Sequence, residues 1–451
     1  MRTHIHCLIT LLAAASASLP ATGQPLHEVH EFIASDTDPS DWFGSSVAIS
    51  GSTAIVGAWG DDDGGLQAGA AYLFSVTTGQ QLLKLIASDA APGDRFANGV
   101  AISGSTAIVG AHENDDAIEA SGSAYLFDTT TGQELFKLTA SDASSGDRFG
   151  FSVAISGTTA IVGAGGNDDA GANSGSAYLF DTITGQELFK LTASDAAPND
   201  VFGTSVAISG TTAIVGAEQY DYPEYGPGSA YLFDTTTGEQ LFRLTASDAT
   251  ADDHFGHAVA ISGTTAIVGA YWNDAVGNNV GSVYVFDTTT GQELFKLAPS
   301  DPTVGEQFGW SVSISGTTAV IGAQSDRDAG SESGSAYLFD TTTGQEISKL
   351  AASDAASRDR FGVSVGISGA TAIVGAQYDV DVMLNTGSAF LYTKCPADLA
   401  APFGSLNFFD IAEYIALFNA SDPGADLAPP FGAINFFDIA EYIALFNAGC
   451  P

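Results

Sequence analysis

FGTSVAISGTTAIVGA (202–217), a variable loop, then GSAYLFDTTTGEQLFRLTASDA (228–249) form one copy of a unit that recurs along this chain. Its leading phenylalanine returns every 53 residues, as Phe43, Phe96, Phe149, Phe202, Phe255, Phe308 and Phe361. All but Phe96 are followed by Gly. Each unit predicts four strands: A (SVAIS), B (TAIVGA), C (SAYLF) and D (QLFRLTA). They are short, rich in Val, Ile, Tyr and Phe, and bounded by Gly, Ser, Thr or Asp. SGTT joins A to B and DTTTGQ joins C to D, both hairpin-length connections. Seven successive antiparallel four-strand units predict an all-β fold, a seven-bladed β-propeller.

The register also predicts how the ring closes. Strand D carries Lys84, Lys137, Lys190, Arg243, Lys296 and Lys349, but the seventh unit ends after strand C at Ser388–Tyr392. The missing strand lies at the other end of the chain. HEVHEFIASD (27–36) aligns with QQLLKLIASD (80–89), with Glu31 at the Lys position. The N-terminal segment is therefore expected to supply strand D of blade 7, leaving no open sheet edge.

The chain has 451 residues with 53 acidic and 13 basic side chains, a formal net charge of −40. That balance disfavours nucleic acid and anionic lipid, which need clustered Lys and Arg. Strand alternation puts the repeated SGTT and DTTTGQ turns on one face. The variable B–C and D–A loops fall on the other, and most of the acidic residues lie in them. This loop face is the expected binding surface for an extracellular protein or glycan. Its candidate residues are Trp59, Asp61, Asp62, Asp63, Asp115, Asp116, Asp168, Asp169, Tyr220, Tyr222, Trp272, Asp326 and Asp328.

Residues 1–23 have the pattern of a secretory signal: Arg2, an apolar run Cys7–Ala17 too short to span a bilayer, and small residues Ala21 and Gly23 before Gln24. A cut near Ala17 is the competing choice. The protein is therefore expected to be secreted or at the cell surface, with no membrane span after cleavage. Cys395 and Cys450 would remain, and a disulfide is the simplest pairing in an exported chain. The domain plan is signal 1–23, propeller 24–393 and a small module 395–451.

The FG…SVAIS…TAIVGA phrases resemble the FG-GAP repeats of integrin α-subunit heads and bacterial surface proteins. The resemblance implies a partner-binding loop face. It also implies calcium loops of D-x-D-x-D-G type between strands A and B, where this chain has only SGTT. The C-terminal module contains two copies with a period of 28 residues. Each reads as a loop followed by a helix, with Phe408, Ile411, Ile415 and Phe418 at helical spacing in the first. It resembles a degenerate dockerin of the type ending in Gly-Cys. That resemblance implies an anchoring partner, and it makes calcium the candidate cofactor. Asp398, Asn407 and Asp410, with Asp426, Asn435 and Asp438, are the candidate ligands, although Ala400 and Pro402 occupy positions where oxygen ligands belong.

Nothing in the sequence carries a catalytic signature. There is no G-x-S-x-G elbow, no H-E-x-x-H and no phosphate-cradling loop. His27 and His30 read as residues of a solvated edge, and His254 and His257 flank an FG pair with no third ligand near in sequence. The expectation is a non-enzymatic adhesion-type propeller. The alternative is a polysaccharide-associated protein or glycan-active enzyme delivered by the dockerin-like module.

Overall fold

The computed structural model describes residues 26–116, 118–219, 226–380 and 385–394, together with isolated positions between 410 and 443. Its strands form seven four-stranded antiparallel sheets. In blade 1 the strands are A (Ser46–Ser50), B (Thr53–Ala58), C (Ala70–Ser75) and D (Gln81–Leu85), hydrogen-bonded in that order. Strand B is buried at every position after its Thr, because neighbouring blades cover both faces. Strand A alternates buried Val47 and Ile49 with partly exposed Ser46, Ala48 and Ser50. Each strand A meets the strand A of both neighbouring blades, from blade 1 round to blade 7 and back. These strands therefore surround the axis.

The core lies between blades. Seven apolar clusters each combine residues of two adjacent blades. Every FG-position phenylalanine is fully buried. Phe149, for example, meets Tyr178 and Phe180 edge-on at 5.5 and 5.7 Å. The glycine of TAIVGA lets the blades approach. A Cβ on Gly163 would sit 2.0 Å from the Gly203 carbonyl oxygen of the next blade, and one on Gly322 would sit 2.0 Å from that of Gly362.

Two rings of side-chain bonds clasp the blades. Near the axis, the last serine of each strand A accepts a hydrogen bond from a glycine N–H in the neighbouring A–B turn. Gly104 donates to Ser50, and the series continues to Gly51, which donates to Ser368. At the rim, the serine after each strand D donates to a Glu or Gln on the next strand D, as Ser88 does to Glu134. This outer ring is also complete across all seven interfaces.

Leu26–Phe32 pairs antiparallel with Ser388–Lys394 and is strand D of blade 7. Glu31 lies opposite Phe390 as Lys84 lies opposite Tyr72. The closing strand is shorter than the aligned 27–36, because Ile33–Asp36 already belong to the connection to blade 1. Both rim contacts of blade 7 come from this segment: Glu28 accepts from Ser353, and the Ser35 N–H donates to Gln81.

Residues 1–23, Cys395 and Cys450 lie outside the described residues, as do Asp398, Asn407, Asp426, Asn435 and Asp438. No helix is delineated among the described residues of the C-terminal module, so the fold established is the all-β propeller. Tyr414 and Tyr442, equivalent positions of the two copies, are buried, and their rings stack at 3.9 Å. Asp410 is buried too, rather than presented to solvent. No described helix is long and apolar enough to cross a membrane.

Candidate functional site

The acidic loops are largely engaged within the propeller. In blade 1, Lys84 Nζ lies 2.8 Å from Asp36, 2.8 Å from Asp61 and 2.6 Å from Asp63. Lys349 repeats this with Asp301, Asp326 and Asp328. Lys137 holds Asp89 and Asp116, and Lys190 holds Asp142 and Asp169. The cage thus joins a D–A aspartate to a B–C carboxylate or amide through the strand-D cation. Burial alone would raise the Asp326 carboxyl, but Lys349 holds it below the usual carboxylate range. Asp61 and Asp326 are buried. Asp62 and Asp168 accept backbone N–H groups within their own loops, from Gln67 and Asn173. Asp115 is exposed. Tyr220 and Tyr222 lie outside the described residues. Much of the predicted acidic surface is therefore cage and loop structure.

Carboxylate oxygens converge within 4.8 Å at two places among the described residues. One is Asp36, Asp61 and Asp63 around Lys84. The other is Glu31, Asp354 and Asp379 in blade 7, where Glu31 takes the lysine position and accepts from Ser388.

The variable side chains gather elsewhere, at the axis. A funnel of about 710 Å³ opens there on the loop face. All seven residues that follow the FG position line it: Ser45, Asn98, Phe151, Thr204, His257, Trp310 and Val363. Residues after the GA of strand B add Trp59, Gly165, Glu218 and Gln377. Strand geometry explains the clustering, since equivalent positions of seven radially arranged strands must form a ring.

The backbone before each FG position is unusual. Trp42, Arg95, Arg148, Val201, His254, Gln307 and Arg360 all have positive φ, between 47° and 62°. None is Gly, and Val201 is β-branched, so this left-handed conformation is strained. It is held by tertiary contacts. The Arg148 N–H donates to Ala120 of the preceding B–C loop and that of Val201 to Asn173, while the next residue buries its ring between blades. Arg148 and Val201 reach the funnel wall.

On one side of the funnel Glu218 is buried, and its Oε1 lies 3.0 Å from His254 Nδ1 and 2.9 Å from His257 Nδ1. Burial would raise this carboxyl, but the two imidazoles hold it down to about 2. His257 in turn lies 4.6 Å from the Trp310 ring, and Tyr271 meets Trp310 edge-on. Trp272 is set back, edge-on to His254. Across the funnel, Trp59 is braced by a stacked Trp42 at 4.1 Å and by Arg95. Phe151 stands on His112, whose ring burial and Arg95 and Arg148 push down to about 3, so it is neutral. Phe151 remains 39% exposed.

Of the aromatic residues expected on the loop face, Trp59 lines the funnel and Trp272 does not, and the ring as a whole was not expected. The signal was present: the residue after FG is the one position of the FG-x-SVAIS phrase that differs in every copy. The group that joins His254 and His257, absent near them in sequence, is Glu218 from the preceding blade.

The family model for the FG-GAP repeat matches residues 26–74, 80–127, 133–180, 186–233, 239–286, 292–339 and 345–392. Each match begins on strand D of one blade and ends on strand C of the next, the frame in which the N-terminal strand completes blade 7. No curated protein matches the chain. With matches over most of its length and the seven-bladed ring they build, this chain belongs to the FG-GAP repeat family.

Proposed function

We propose that this protein is an exported, non-enzymatic binding propeller that takes its ligand in the axial funnel and is held in place by its C-terminal module. The single observation that carries the reading is the distribution of variety. The turns on the opposite face repeat almost unchanged, whereas the seven side chains around the axial mouth differ from blade to blade. Stability asks only that the repeat be kept, so sequence variety gathered around a concavity on the variable-loop face points to recognition. The apolar run Cys7–Ala17 supports export, and the two-copy segment with its stacked Tyr414 and Tyr442 supports a separate anchoring unit. Binding without turnover is supported by the funnel's carboxylate. Glu218 is the one that lines it among the described residues, and its Oε1 is engaged by two imidazoles. Glycoside hydrolysis ordinarily needs a pair of carboxyl groups flanking the bond.

The test is a binding screen of the mature chain against extracellular proteins and glycans, repeated with Phe151→Ala and with Thr236→Ala on the opposite turns. Capture should be lost with the first and kept with the second. Capture that follows the turn substitution instead, or release of cleaved product, would contradict the reading.

A further inference from the structure

We infer that the funnel's ligand is a neutral saccharide, bound at a chain end; this rests on the funnel-binding reading above. Three observations select that class. First, the wall combines aromatic rings with polar groups. Phe151 offers a partly exposed ring, and Trp310 is fixed by His257 and Tyr271. Asn173, Asn199, Thr204 and Arg148 line the same funnel. Sugar rings present C–H faces to aromatic planes and hydroxyls to amides and guanidinium, so they match both halves of this wall. Second, the size suits a small ligand. About 710 Å³ falls within the range of small-molecule pockets and is too confined for a folded protein surface. Seven strands wall it on all sides, so a chain can enter by its end but cannot run through as it would in an open groove. Third, the charge selects neutrality. Of the described lining residues, Glu218 is already engaged by His254 and His257, and Arg148 lies 3.6 Å from Glu113, so neither offers an unpaired charge to a uronic or sulfated chain.

Chain-end binding makes a length prediction that groove binding does not. Affinity should rise over the first few sugars and then stay flat, because later residues project into solvent.

The experiment is titration of the full mature chain, followed by tryptophan fluorescence and calorimetry, with neutral β-1,4-glucan, β-1,4-xylan and α-1,4-glucan oligomers of increasing length. Oligogalacturonate of matched length is the charged probe. The proposal expects saturable binding to at least one neutral series, an early plateau with length, and binding of the charged probe weaker by at least roughly tenfold. Phe151→Ala should weaken the neutral ligand roughly tenfold. Arg148→Gln, at an exposed side chain, should weaken it with no change in melting temperature, which separates lost contact from lost fold. If no neutral series binds at millimolar concentration, but a protein ligand is captured and then lost in Phe151→Ala, the saccharide assignment falls while the funnel reading stands. If a ligand is captured equally by wild type and Phe151→Ala, the funnel reading itself falls. Affinity that keeps growing with chain length would overturn the chain-end geometry.

Discussion

Single residues show which acidic groups hold the ring together. Lys349 lies among Asp301, Asp326 and Asp328, and Asp326 is fully buried. Lys349→Ala would leave that carboxylate uncompensated, at a cost of about 3 kcal/mol. Lys137 holds Asp89 and Asp116, both about a third exposed, with neutral Asn114 at the buried position. Lys137→Ala should therefore cost under ~1 kcal/mol. Denaturant unfolding of the two variants checks the contrast. Glu306 behaves in the opposite sense. It caps the Thr303 N–H, its other oxygen is buried without a hydrogen-bond partner among the described residues, and burial pushes its carboxyl up to about 7. A carboxyl raised in the folded state contributes stability below its unfolded pKa and loses it as pH rises through the folded value. The Glu306 contribution to melting temperature should thus fall between about pH 4.5 and 7, against a rise from the buried, neutral His112 over much of the same range. Glu306→Gln should remove part of that fall, recovering roughly 2–3 kcal/mol at pH 8. Val201 carries strain of another kind. Val201→Asn, which tolerates positive φ, should stabilise by about 1 kcal/mol. An unchanged or lower stability would mean that the funnel wall needs the valine.

Among the elements, strand existence, order and closure were legible in the sequence, because a 53-residue period repeated seven times fixes the register. Bulges were not. Each strand D has one residue that slips out of register, at Leu82 in blade 1 and at Val29 in the closing strand. Leu82, Leu135, Leu188, Leu241 and Leu294 consequently stand 39–49% exposed, although the alternating pattern gave no sign of it. The cages were hidden for a related reason. Lys84 and Asp36 are far apart in sequence, and the loop acids looked like free surface until the fold brought the strand-D amine among them. Packing between blades gives a further prediction. Gly322→Ala places a methyl 2.0 Å from a backbone oxygen that cannot swing away, and should destabilise by ~1–3 kcal/mol. Alanine at Gly316, where φ is positive but no atom lies within 4 Å, should cost about 1 kcal/mol through backbone strain alone.

Across the whole molecule, ring closure is the central claim. Seven blades share their cores with their neighbours, so no blade has a complete core of its own. The outer clasp is complete only because the chain's N-terminal segment sits in its last blade, while the inner clasp closes from the A–B turn of blade 1 onto strand A of blade 7. The axial funnel, and with it the proposed function, exists only if that ring is shut. Amide hydrogen exchange of residues 26–32, compared with strand D of blade 1 (Gln81–Leu85), tests this most directly. The closed ring predicts that both segments exchange at the same slow rate, set by global unfolding. Fast exchange across 26–32 with 81–85 protected would contradict it, by showing the seventh blade open.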